Sequence, residues 1–338
     1  MFIPFITTGI GSLPHTDAVA ACTTILNSFD VPFWPQFPRL SFRELMIPQF
    51  SEGIPLIKID TEKKTIWVDK DNYESATKFL ESYTDDFILP VSEDFAKGLY
   101  TFLRVMEGIY FAVLKGHITG PLTFSLGLKD NNGKPVYFDE EMREIILLAL
   151  KAKIRWQVQQ LKSLAQYVII FIDEPVLSAL GTSSYLGVNT EEALRLLKET
   201  SDAIKNAGAI SGIHCCSKAD WSLVINSGAG IISFDAYDYI ESLPVYSEEF
   251  TKFLKEGGYL AWGIVPTTDA INNENSESLK QRFDRGLEIL TKTMPSDLLL
   301  SQIILTPSCG AGSLSIEEAE KVFKTLGELK EILVESYT

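Results

Sequence analysis

The sequence predicts an α/β protein of the (β/α)8 TIM-barrel class, with a hairpin and helices inserted between its second and third strands. Two observations carry that expectation. Eight short apolar, β-branched runs alternate with longer amphipathic stretches, the pattern of strand–helix units on a parallel sheet. With 338 residues, 46% hydrophobic and 22% charged, the chain can bury a large core, and no linker, low-complexity segment or fixed-period repeat divides it. The expectation is one barrel domain over 1–338.

Taken in order, the first strand is expected in FITTGI (5–10) and the second in VPFWPQF (31–37). IPLIKIDTEKKTIWVD (54–69) then reads as a hairpin with a charged turn, followed by two helical segments to about residue 107, and this is the insertion. The third strand is VLKGHIT (113–119), the fourth YVIIFID (167–173) and the fifth GAISGIHC (208–215). GIISFD (230–235), YLAWGIV (259–265) and QIILTP (302–307) complete the set. Helical periodicity fills 139–165, 189–208 and 315–333, and the last two open with capping residues followed by glutamates, as helix N-termini should.

Composition narrows the function. A net charge of −15 repels a phosphate backbone, and no Lys/Arg-rich run offsets it, so nucleic acid is not expected as a partner. The start MFIPFITTGIGSLPH lacks a basic leader region and no apolar run of about 18 residues occurs, so no membrane span and a cytoplasmic location are expected. Cysteines at 22, 215, 216 and 309 give no disulfide framework, which points to reduced thiols.

In a barrel of this class the active site lies at the carboxyl ends of the strands. That filter selects Ser12, His117, Asp173, Glu174, His214, Cys216, Asp235 and Cys309. His214 and Cys216 are two positions apart in extended backbone, so they project to one side and Cys215 to the other. Asp235 ends the sixth strand and Cys309 follows the eighth in TPSCGAG, where both can converge on that pair. One histidine, two cysteines and a carboxylate are suitable ligands for tetrahedral zinc. The competing reading makes each cysteine a small buried hydrophobe. A redox pair lacks the C-x-x-C spacing and the helix N-terminus it needs.

FIDEP (171–175) sets two acidic residues at the end of the fourth strand, either a functional pair or a solvated one. GIGSLPH (9–15) supplies a Gly-Ser turn whose backbone amides can hold a carboxylate. His15 and His117 stand alone at strand ends and read as structural. PFWPQFP (32–38) lines either an apolar pocket or the barrel core.

In this order TTGIGSLP, HITGPLT, IDEP, HCC and TPSCG make the chain resemble the catalytic C-terminal half of cobalamin-independent methionine synthase, in its short, folate-independent form. The resemblance covers most of the chain as motif order and is most specific at the HCC and IDEP segments. It implies a (β/α)8 barrel that transfers a methyl group to the thiol of L-homocysteine, with zinc held by His214, Cys216, Asp235 and Cys309. The family carboxylate is glutamate, so Asp235 is a shorter substitute. The resemblance also implies a homocysteine site of Ile10, Ser12 and Asp173, with Asp173 the catalytic carboxylate.

Three departures refine the expectation. The family's N-terminal half, which helps bind polyglutamylated folate, is absent from this sequence. The D-I-H-S histidine after the seventh strand is here Val265, in AWGIVPTTD. The family's H-G-E glutamate has no clear counterpart near FPRLSFRELM (37–46). The first two point to methylcobalamin or a methylated corrinoid protein as donor in place of folate. Two alternatives stay open: methylation of another thiol such as coenzyme M, within the uroporphyrinogen-decarboxylase-like group, and a non-catalytic barrel that binds a small molecule. The IDEP aspartate favours an amino-acid substrate.

Overall fold

The computed structural model describes residues 2–182, 185 and 187–338. In chain order the elements begin with β1 (Ile6–Thr7), α1 (Ala18–Ser28), α2 (Met46–Ser51), β2 (Ile57–Asp60), β3 (Thr65–Val68), α3 (Tyr73–Ser82) and α4 (Lys97–Val105). The middle of the chain carries β4 (Phe111–Thr119), α5 (Pro121–Gly127), α6 (Glu140–Lys162), β5 (Ala165–Asp173), α7 (Thr190–Asn206), β6 (Ile210–Cys215), α8 (Trp221–Asn226) and β7 (Ile231–Asp235). It ends with α9 (Ala236–Tyr239), α10 (Ser247–Lys255), β8 (Tyr259–Val265), α11 (Ser276–Thr291), α12 (Ser296–Leu300), β9 (Ile303–Pro307) and α13 (Ile316–Tyr337).

Seven strands form one curled parallel sheet in the order β1-β9-β8-β7-β6-β5-β4. Apolar residues cover both of its faces, which is why these strands read as near-continuous apolar runs. The inner face carries a cluster contributed by strands and their extensions, including Ile10, Val113, Ile169, Phe171, Ile231, Ala261 and Ile304. The helices pack against the outer face over a much larger cluster. β2 and β3 pair antiparallel as a separate hairpin, with α3 and α4 following it. Lys153 of α6, wholly buried, ties this region to the sheet layer through its Nζ, which donates to the Glu52 carbonyl at 2.6 Å and to that of Pro90 at 3.4 Å.

The first two expected strands are the least regular. Phe5 has a φ of 62°, in the left-handed region, so extended backbone cannot begin there, and only Ile6–Thr7 pairs with β9. Segment 31–36 makes no ladder. Pro32 and Pro35 bring no N–H to it. Isolated parallel bridges remain: Val31 to Thr8 and Gln36 to Ser12 on one side, Phe33 to Lys115 on the other. Both edges of the seven-stranded sheet therefore contact this one segment.

Helix starts follow the side-chain chemistry. The Asp139 carboxylate accepts from Met142 N at the head of α6, and Ser315 and Glu318 cap each other's backbone at the head of α13. Among the described residues no helix is long and apolar enough to cross a membrane.

Candidate metal and substrate site

β6 ends at Cys215, and its two-residue alternation turns His214 and Cys216 to the inner side while Cys215 enters the outer core. His214 lies opposite Ser233 of β7 in the ladder. Its Nδ1 is 2.9 Å from Ser233 Oγ, whereas Nε2 is enclosed and has no hydrogen-bond partner. Cys309, two residues beyond β9, joins them from the far end of the chain. Among the described residues, His214, Cys216 and Cys309 form one group whose potential ligand atoms all lie within 4.8 Å of one another.

The two thiols share a proton unequally. The hydrogen bond from Cys309 and the contact with His214 pull the Cys216 pKa down to about 4, which favours the thiolate form at Cys216. The same hydrogen bond, together with burial, holds the Cys309 thiol well above its ordinary range. Cys215 is inert by comparison, since burial pushes it up to about 12.

Asp235 stands outside that group. β7 runs directly into α9, and Asp235 Oδ1 accepts from Asp238 N at 3.0 Å as the helix cap. Burial raises its pKa to about 6.

The two acids of FIDEP have separate positions. Asp173 pairs in the ladder with Thr119 on one side and His214 on the other. It is half-buried, and its Oδ1 is enclosed without a partner. Burial raises its pKa to about 6 against the pull of His214 and Lys115. Glu174 points away and accepts from Leu122 N at 2.9 Å, Thr123 N at 2.7 Å and Thr123 Oγ1 at 2.6 Å, so it caps α5. Residue 120 has to be glycine there, because a β-carbon would come 2.1 Å from the Glu174 carboxyl.

Ile10 and Ser12 lie on the same side. The Ile10 carbonyl accepts from Lys115 Nζ at 2.6 Å. Ser12 Oγ is 3.4 Å from Gly312 N, which places the first strand end against the loop that carries Cys309. Lys115 is fully buried with its Nζ 4.4 Å from the Phe171 ring centroid, and burial lowers its pKa to about 8. Sequence reasoning passed over this lysine, although its place in the apolar run VLKGHIT was a signal. His117 stacks on Trp34 at 3.9 Å between centroids, and burial and Lys115 hold it neutral. Val265, at the position compared with the family histidine, is buried in the outer cluster.

The donor set fits zinc. Nδ1 of His214 is occupied by Ser233, which leaves Nε2 as the ligand nitrogen, and two sulfurs complete a three-donor set like that of catalytic zinc sites with an open position.

Comparison with known proteins gives a fold likeness alone. No protein-family model matches the chain, and no curated relative does. Among solved structures, a B12-independent methionine synthase from Shewanella sp. W3-18-1, in complex with selenomethionine, superposes with a TM-score of 0.60 at 14% identity, covering 98% of each chain. A Bacteroides fragilis NCTC 9343 protein provisionally described as an alpha-galactosidase matches with a TM-score of 0.28 at 10% identity, over 70% of this chain and 53% of that one.

Proposed function

We propose that this chain is a zinc-dependent methyltransferase that makes methionine from L-homocysteine, with methylcobalamin or a methylated corrinoid protein as donor. The observation that carries this reading is the convergence of His214, Cys216 and Cys309 beside Asp173, with His214 Nε2 and Asp173 Oδ1 both unpartnered. The fold shared with the Shewanella enzyme supports it. So do the bridges from 31–36 to both sheet edges, on which we read the chain as one closed (β/α)8 barrel in which that segment is the eighth stave. A cytoplasmic location belongs to this reading.

His214, Cys216 and Cys309 hold the metal, and Asp235 is assigned to the cap of α9. When bound, zinc supplies the Lewis acidity that makes a thiol a thiolate at neutral pH. Asp173 anchors the α-ammonium of homocysteine, and the turn at Ile10–Ser12 presents backbone amides to its carboxylate. This orients the sulfur toward the methyl group. The sulfur–carbon bond forms as the bond from methyl to donor breaks, and the electron pair of that bond leaves with the donor. A folate donor needs its leaving nitrogen protonated, and the aliphatic Val265 offers no proton at that position. A cobalt-bound methyl has no such need.

Methionine formation is measured with full chain, Zn2+ and homocysteine, and with methylcobalamin or methyltetrahydrofolate in parallel. The expected result is turnover with the corrinoid alone. Comparable turnover with the folate overturns the donor assignment. Methylation of coenzyme M in place of homocysteine overturns the amino-acid substrate.

A further inference from the structure

His117 is a buried polar group that the site as proposed leaves unexplained. It is 2% exposed, and neither Nδ1 nor Nε2 has a hydrogen-bond partner. A neutral imidazole carries one N–H donor and one lone pair, and native proteins seldom leave both unmet in the interior. Packing alone would be served by phenylalanine.

The ring stands between the two halves of the proposed substrate site. The two-residue period of β4 puts His117 on the same face as Lys115 and Thr119, and Thr119 pairs with Asp173. On its other side the ring abuts Gly11. A β-carbon at position 11 would come 3.1 Å from His117 Nδ1, so a residue without a side chain lets the imidazole reach the turn between Ile10 and Ser12. Trp34 stacks on one ring face at 27° and Phe50 meets the ring edge-on, which fixes its plane. Lys115, behind the ring, is committed to the Ile10 carbonyl. Among the described residues, the open polar valences here include both nitrogens of His117 and Asp173 Oδ1, with His214 Nε2 next to Asp173 on the metal side.

We propose that His117 is a further substrate-binding residue that reads the zwitterionic head of the α-amino acid. Its N–H donates to the α-carboxylate seated on the Ile10–Ser12 turn. Its second nitrogen accepts from the α-ammonium shared with Asp173. The assignment rests on the amino-acid substrate proposed above.

The test is calorimetric titration of the full chain, supplied with Zn2+, with L-homocysteine, with its decarboxylated analogue aminopropanethiol and with its deaminated analogue mercaptobutanoate. His117→Phe keeps the stack on Trp34 and removes both nitrogens. It is expected to weaken L-homocysteine, which loses both bonds, by about 10- to 100-fold, and to weaken aminopropanethiol and mercaptobutanoate, each of which loses one, by clearly less. His117→Gln, which keeps a donor and an acceptor, is expected to recover part of the loss, and it serves as the readout if the phenylalanine variant does not fold. Unchanged homocysteine affinity, or an equal loss for all three thiols, overturns the role of His117. A wild-type protein that binds aminopropanethiol as tightly as homocysteine overturns the amino-acid reading itself, and this proposal with it.

Discussion

Ser233 Oγ and His214 Nδ1 lie 2.9 Å apart across the β6–β7 ladder, and this contact decides which imidazole nitrogen faces the two thiols. Removing it frees the ring to rotate and to change tautomer. Ser233→Ala is therefore expected to weaken zinc binding by about 10-fold or more without removing any ligand. Competition against a chromophoric chelator reads this directly, and an affinity equal to that of wild type would show that the serine does not orient His214.

The cysteines should separate cleanly by face. Cys216→Ser and Cys309→Ser are expected to lose stoichiometric zinc, because a hydroxyl is a far poorer ligand than a thiolate. Cys215→Ser should keep it, since that sulfur lies in the outer core. Metal content after dialysis checks all three, and full retention in either of the first two contradicts the site.

Asp173→Asn tests the ammonium anchor. The variant keeps the shape and loses the charge, so homocysteine binding should weaken by roughly 1.5 to 3 kcal/mol, the worth of a charge-assisted hydrogen bond. Zinc content should not move. Equal affinity in the two proteins would return Asp173 to a scaffold role.

Buried lysines give stability a signed pH dependence. Burial lowers Lys153 to about 7 and Lys115 to about 8, while in the unfolded chain both titrate near their ordinary value of 10.5. Between those limits the unfolded state binds more protons than the folded one, so stability rises with pH from about 7 toward about 10. Urea midpoints at stepped pH should show this upward slope, and Lys153→Met should flatten it. A falling profile, or a variant slope equal to that of wild type, refutes the assignment.

How much of this was legible depended on how far each interaction lay from its own residue. The strands from 113 onward are visible as β-branched runs because both sheet faces are buried. The His214–Cys216 pair is visible because a period of two needs no knowledge of the rest of the fold. The strand expected over 31–37 fails as a ladder because its prolines lack donors, a local fact that outweighs its apolar pattern. Asp235 and Glu174 were not legible as caps, since each carboxylate is claimed by backbone N–H groups of the helix it caps, α9 for one and α5 for the other. A lone histidine such as His117 reads as structural until its surroundings show that nothing answers its nitrogens.

The pairing of β1 with β9 has a consequence for the order in which the molecule can be made. Ile6 waits for Ile304, and Ser12 waits for the loop after Cys309, so these two contacts close only when residues about 300 positions further along the chain have been made. Until then β4 to β8 stand as a sheet whose β8 edge is unpaired and whose thiol pair is half-built, the kind of intermediate that adheres to its neighbours. Closing so long a loop is slow, and the nascent chain has reason to need a chaperone for that interval.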